Sequence, residues 1–301
     1  MYDIIVIGAG PAGMTAAIYG RRALKKVLIL EGNVYGGQIV NTLDIENYPS
    51  EMHISGFDFA TKMYEQAKDL GTDFVFEKCI EIQDEKDFKK VITSKNVYEG
   101  KTVIIATGVV NRELGIENEK KYIGLGVSYC ATCDGALYKN KDVAVVGGGN
   151  TAVEDALYLS NIAKKVYLIH RRDEFRADSL ELERLKEKEN VIFIYNSVIT
   201  KILGNDHLEK IELKNKDGNL QNISVSGLFL AIGKVPANDC FRDLVELDSD
   251  GYIVSLEDCH TNRKGIFVAG DNRNKKLRQL VTATSDGAIA ATEAIHYLGS
   301  I

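Results

Sequence analysis

The chain has 301 residues, 45% hydrophobic and 27% charged, with 37 Lys plus Arg against 43 Asp plus Glu for a net charge of −6. That length suggests two domains at about 150 residues each. The composition supplies globular cores with no disorder signature, and a mildly acidic chain lacks the basic footprint of a nucleic-acid binder. No apolar run approaches the roughly 20 residues that span a bilayer. The opening MYDIIVIGAG enters a strand and a glycine turn with no basic region or cleavage site before it. The expected location is therefore cytoplasmic, with no membrane partner.

Residues 3–31 read as a short apolar strand, a turn through Gly8, Gly10 and Gly13, an Ala-rich helix opening at Pro11-Ala12, and a second apolar strand ending at Glu31. This is the βαβ dinucleotide fingerprint in its expected context. The first glycine allows the tight turn, the second lets backbone approach a pyrophosphate, and the third packs helix against strand. The helix N-terminus holds phosphates through its unpaired N–H groups, and Pro11 suits the first helical position. Glu31 lies 23 residues after Gly8, where a carboxylate accepts hydrogen bonds from ribose hydroxyls. The first site thus suits FAD or NAD. A buried-type strand follows at 103–106, ending in Thr107-Gly108, and a polar connection at 112–120.

Next comes Cys130-Ala131-Thr132-Cys133-Asp134. Five cysteines are odd in number and too dilute for a disulfide scaffold, so in a reducing compartment this close pair is redox-active or metal-binding rather than structural. Zinc needs two further ligands, whereas Cys79, Cys240 and Cys259 are scattered singly and read as buried small apolar residues. Asp134 is a candidate proton carrier, or alternatively a turn carboxylate.

Residues 142–170 align without a gap on residues 3–31 at an offset of 139. Gly8 falls on Gly147, Gly10 on Gly149, Gly13 on Ala152 and Glu31 on His170. Arg171, Arg172 and Arg176 follow, and cations at this point suit a 2′-phosphate. The second site is therefore expected to take NADPH, and the first FAD. A second echo, 228–231 ending in Ile232-Gly233, precedes a polar stretch at 235–250. A strand then ends at Gly270-Asp271, a polar loop spans Asn272–Lys276, and an Ala-rich helix runs to about residue 298.

The predicted class is α/β, with two Rossmann-like dinucleotide-binding domains. The FAD domain is discontinuous, 1–111 plus 243–301, and the NADPH domain, 112–242, is inserted and carries the CxxC. Electrons are expected to pass from NADPH to FAD to Cys130–Cys133 to an external disulfide.

Through Gly8–Gly13, Gly36-Gly37-Gln38, Glu46-Asn47-Tyr48-Pro49, Ala106-Thr107-Gly108, Cys130–Asp134, Gly147–Ala152, His170–Arg176, Gly270-Asp271 and Arg278-Gln279, the chain resembles the bacterial-type NADPH-dependent thioredoxin reductases over essentially its whole length. The resemblance implies a homodimeric flavoenzyme that reduces the disulfide of thioredoxin. It implies FAD contacts from Glu31, Gln38, Asn47, Asp271 and Gln279, joined by the Gly8–Gly13 turn, Gly37, Thr107, Gly108, Gly270, Arg278 and Leu280. It implies NADPH contacts from Asn150, Thr151, Arg171, Arg172 and Arg176, joined by Gly149, Ala152, His170, Ile232 and Gly233. Cys133 would be the sulfur nearest the flavin and Asp134 the acid. One flavin must be reached by both the disulfide and the nicotinamide site of the inserted domain, so that domain is expected to rotate between half-reactions. Alternatives are an NADPH-dependent reductase of another disulfide protein, or of a ferredoxin-like carrier, which needs no cysteine pair. A flavin thiol oxidase and a non-catalytic redox sensor are the remaining alternatives.

Overall fold

The computed structural model describes every residue except Leu43 and Asp178. In chain order the first half forms strands and helices β1 (Tyr2–Ile7), α1 (Pro11–Arg22), β2 (Val27–Leu30), α2 (Gly56–Asp69), β3 (Asp73–Val75), β4 (Cys79–Asp84), β5 (Lys89–Thr93), β6 (Val97–Ile105), β7 (Val109–Asn111), β8 (Val127–Ser128), α3 (Ala131–Asp134) and β9 (Asp142–Gly147). There follow α4 (Asn150–Ser160), β10 (Lys165–Ile169), α5 (Ser179–Lys186), β11 (Val191–Ile194), β12 (Ser197–Gly204), β13 (Leu208–Asn215), β14 (Leu220–Ser224), β15 (Gly227–Ala231), β16 (Lys234–Pro236), β17 (Ile266–Val268) and α6 (Leu280–Gly299).

The chain divides into two compact units, one of Met1–Val40, Ile45–Val110 and Val235–Ile301, the other built on Asn111–Lys234. In the first, β1 is apolar without alternation because the parallel sheet β3-β2-β1-β6 is covered on both faces. Ile4, Val6, Val27 and Ile29 pack with Met14, Ala16 and Ala17 of α1 and Ala290, Ala291 and Ala294 of α6. Ile5, Ile7, Leu28 and Leu30 face the opposite way, onto Phe241, Val245 and Ile253. Along one edge of the long strand β6, the first half pairs antiparallel with β5 and the second half parallel with β17. Helix ends follow local chemistry: Pro11 opens α1, the Ser55 hydroxyl accepts the Asp58 N–H at α2, and Gln279 forms a capping box with Thr282 at α6.

The second unit repeats the scheme with a parallel sheet β11-β10-β9-β15-β8. Val153, Ala156 and Leu159 of α4 cover one face. The other face is covered by an antiparallel sheet, β12-β13-β14, through Ile199, Ile202, Ile211, Leu213 and Ile223.

The second domain boundary lies earlier than composition implies: residues 235–242 belong to the first unit, not to the inserted one. Buried Asn238 donates to the Gly251 and Asn272 carbonyls at 3.0 and 2.8 Å, and Phe241 is fully buried beside Ile5 and Leu28. The loop Asn272–Lys276 is likewise no plain polar surface. Asn272 and Arg273 are buried, and Asp286 of α6 takes both Arg273 and Lys275 at 2.9 Å and the Gly270 N–H at 3.0 Å. These contacts fix the Gly270-Asp271 turn against α6.

Candidate active site

In the first unit the strand order reverses between β1 and β6, and such switch points open the crevice where nucleotides bind. Gly8 has φ +109°, and a Cβ there would stand 2.3 Å from the Ala106 oxygen. A Cβ on Gly13 would stand 1.9 Å from the Gly8 oxygen. Both are demanded by packing. Gly10 differs, because a Cβ would meet no described atom within 4 Å, leaving open space at the N-terminus of α1. Gly13→Ala should therefore destabilise the apoprotein by at least the ~1–3 kcal/mol of an overpacked core. Gly10→Ala should melt as the wild-type apoprotein does and yet purify without bound FAD. Flavin absorbance and melting curves of the apoproteins check both; FAD retained by Gly10→Ala would contradict the assignment.

Glu31 at the end of β2 accepts the Ala9 N–H at 2.8 Å and the Asn33 N–H at 2.9 Å, which holds its carboxylate beside the glycine turn with lone pairs to spare. Gly36 donates to the Ala9 carbonyl at 2.8 Å, a Cβ on Gly37 would come within 3.3 Å of Gly10 Cα, and Gln38 follows on the single turn Gly37–Asn41. At the end of β6 the Thr107 hydroxyl accepts from Asn272 at 3.1 Å, and Gly108 has φ +65°. A Cβ on Gly270, which has φ +91°, would stand 2.9 Å from Ala12 Cβ, so the Gly270-Asp271 turn abuts the start of α1. Arg278 lies 4.0 Å over the Tyr252 ring and donates to the Asp271 carbonyl at 3.3 Å. Gln279, ahead of Leu280, accepts from Asn47 at 3.2 Å. Segments far apart in sequence thus converge around one turn.

The second unit shows the same construction. A Cβ on Gly147 would stand 2.4 Å from the Ala231 oxygen and 2.6 Å from Ala152 Cβ, while at Gly149 it would meet nothing within 4 Å. Gly149 caps α4 ahead of Asn150-Thr151, and Gly233, after Ile232, has φ +108°. Where Glu31 stands in the first crevice there is buried His170, followed by Arg171, Arg172 and Arg176, all exposed and none ion-paired among the described residues. The open glycine positions at the two helix N-termini, with a carboxylate beside the first and exposed guanidinium groups beside the second, are chemically compatible with two dinucleotides.

The third centre lies upstream of β9. Cys130 caps α3 and is joined to Cys133 in a disulfide. The Ser128 hydroxyl accepts the Cys130 N–H at 3.0 Å and donates to Asp134 Oδ2 at 2.6 Å. Asp134 Oδ1 is buried with no hydrogen-bond partner among the described residues. Burial pushes the Asp134 pKa up, against the opposing pull of Ser128. This carboxyl is suited to hold and deliver a proton beside the sulfurs. Ser128 carries no sequence signal, because a serine six residues before Asp134 marks no motif and only the turn from β8 into α3 brings the two together. Of the single cysteines, Cys79 and Cys259 are buried as expected, but Cys240 is exposed, since Phe241 takes the inward position on that turn.

Asp155 on α4 also titrates abnormally: burial above all pushes its pKa up to about 7, with Lys234 opposing and Glu154 adding to the rise. Between the ordinary value of 3.8 and about 7, the folded chain keeps a proton that the unfolded chain has lost. Stability therefore falls as pH rises through that window and is level above it. Asp155→Asn should raise the melting temperature at pH 8, with the gain shrinking steadily towards pH 4; a gain independent of pH would contradict the shift.

Two crevices of this kind in one chain with a CxxC disulfide define a nucleotide-dependent disulfide oxidoreductase. The sequence profile described as pyridine nucleotide-disulphide oxidoreductase matches residues 2–287. The thioredoxin reductase of Listeria monocytogenes is 44% identical over 99% of this chain and 94% of its own, and that of Bacillus subtilis 42% identical over 99% and 95%. Among solved structures, the thioredoxin reductase of Streptococcus pyogenes has 44% identity and a TM-score of 0.96, covering 100% of this chain and 99% of that one. That of Lactococcus lactis, described as in the FR conformation, has 41% identity and a TM-score of 0.70 with 100% of both chains covered. The chain belongs to the thioredoxin reductase family.

Proposed function

We propose that this enzyme is a cytoplasmic, homodimeric flavoprotein that reduces oxidised thioredoxin with electrons from NADPH. The observation that carries the reading is the Cys130–Cys133 disulfide tied through Ser128 to a protonatable, buried Asp134. Gly10, the N-terminus of α1 and Glu31 would hold the pyrophosphate and ribose of FAD, with Asn47, Thr107, Asp271, Arg278 and Gln279 around them. Gly149, the N-terminus of α4 and Arg171, Arg172 and Arg176 would hold NADPH. Bound FAD supplies two-electron transfer from the nicotinamide to the disulfide. Opening Cys130–Cys133 to two thiols takes up two protons with two electrons, and Asp134 would deliver one of them. One thiolate of the pair then attacks the thioredoxin disulfide to form a mixed disulfide. The second thiolate attacks that bond, releasing reduced thioredoxin and closing Cys130–Cys133 again.

Rotation of the inserted unit between half-reactions is part of this reading. It is supported by two relatives of similar identity, 44% and 41%, that differ widely in TM-score, 0.96 against 0.70. NADPH consumption by the purified yellow protein, measured anaerobically with and without oxidised thioredoxin, tests the function. Sustained consumption only with thioredoxin is expected. A burst that stops in both cases would favour another disulfide protein, and turnover with a ferredoxin-like carrier alone would overturn the reading.

A further inference from the structure

The two crevices differ at a pair of positions that the repeat places in register: Ala9 and Glu31 in the first, Gly148 and His170 in the second. In the first, Glu31 accepts the Ala9 N–H at 2.8 Å, and Ala9 carries its Cβ into the core. In the second, a Cβ at position 148 would stand 2.0, 2.3 and 2.6 Å from Cε1, Nδ1 and Nε2 of His170, so the imidazole occupies the room a side chain would take. The ring also stacks on Phe175, with centroids 5.0 Å apart and planes at 25°. Phe175 in turn meets Phe193 and Tyr195 edge-on at 5.9 and 5.4 Å. It sits between Arg172 and Arg176, and the Arg176 N–H donates to the Gly148 carbonyl at 2.7 Å. The loop that carries the three arginines is therefore held twice, to His170 by the ring stack and to Gly148 by a backbone hydrogen bond.

We propose that Gly148 and His170 form one coupled specificity element: the missing side chain at 148 admits the imidazole, and the clamped imidazole seats the Arg171–Arg176 loop for a nucleotide 2′-phosphate. This inference rests on the reading of the second crevice as the NADPH site. His170 is a positioning residue here, acting through Phe175 and the loop. Burial lowers the His170 pKa and Arg171 and Arg172 push the same way, against hydrogen bonds with the Glu174 and Gly147 backbone that raise it, and an imidazole at this position places no carboxylate near a phosphate. The element also explains why the second crevice has glycine where the first tolerates alanine.

Calorimetric titration of the FAD-loaded enzyme with 2′,5′-ADP and with 5′-AMP tests this without turnover. The wild type is expected to prefer 2′,5′-ADP. Gly148→Ala, which must expel the ring, should weaken 2′,5′-ADP about tenfold or more, as loss of charge-assisted hydrogen bonds does, and leave 5′-AMP unchanged. Gly148→Ala with His170→Glu rebuilds the first crevice's pair and should reverse the preference. Should Gly148→Ala not fold, His170→Ala alone is expected to show the same selective loss. A wild type without preference for 2′,5′-ADP overturns the NADPH reading and this inference together. A normal wild type whose variants keep its preference, or lose both ligands equally, overturns the coupling alone.

Discussion

Cys133→Ser or Cys130→Ser is expected to lower NADPH-driven reduction of thioredoxin by about a thousandfold or more, the scale on which loss of a covalent nucleophile acts. A serine hydroxyl closes no disulfide with the remaining sulfur, so electrons have no dithiol from which to reach the partner. Neither sulfur belongs to the glycine turns that would hold the cofactors: the first crevice is built on Gly8–Gly13 and the second on Gly147–Ala152. Reduction of ferricyanide, which needs no dithiol, should therefore persist in both variants. Steady-state rates with the two acceptors check this. Equal loss with both would mean that the disulfide holds the fold and relays nothing; full thioredoxin activity would mean that electrons leave by another route.

Asp134→Asn should lower the thioredoxin rate by about 10²–10⁴-fold, the usual worth of a placed general acid. The amide fills the same space but has no carboxyl proton to give. Burial raises the Asp134 pKa, so in the wild type the acid form persists above the ordinary carboxylate range and is lost as pH rises further. The wild-type rate should thus fall on the alkaline side through this raised value, and the variant should lack that limb. Ser128→Ala removes the one hydrogen bond that draws the pKa down and should move the limb to higher pH. pH–rate profiles of the three proteins measure this. A limb unchanged in Asp134→Asn would assign it to a different group.

The sheet-and-glycine framework was legible because its signals are local. Gly8, Gly10 and Gly13 occupy one turn, and the gapless repeat at Gly147–Ala152 gives the same reading twice. Pro11 opens α1, and the last helix ends at Gly299, close to the expected residue 298. The exchange of Glu31 for His170 followed by arginines is equally local, and the proposal of two different nucleotides starts from it. What composition hid depends on partners distant in sequence. Residues 235–242 look like a polar linker until Asn238 meets Gly251 and Asn272 and Phe241 enters the core. Arg273 and Lys275 look like surface cations until Asp286, on another element, supplies their counter-charge inside the fold. The dependence of Gly148 on His170 is likewise invisible in either stretch alone, since glycine fits the fingerprint whatever packs on it.

Trapping of thiols after anaerobic addition of NADPH tests the central claim most directly, that electrons from the nucleotide reach thioredoxin through Cys130–Cys133. The full-length flavoprotein would be alkylated with and without NADPH, and again after oxidised thioredoxin, and the labelled cysteines identified by peptide mass. Cys130 and Cys133 should be labelled only after NADPH and should lose that reactivity once thioredoxin is added. Exposed Cys240 should be labelled throughout. Labelling of the pair that ignores NADPH, or that survives an excess of oxidised thioredoxin, would contradict the account.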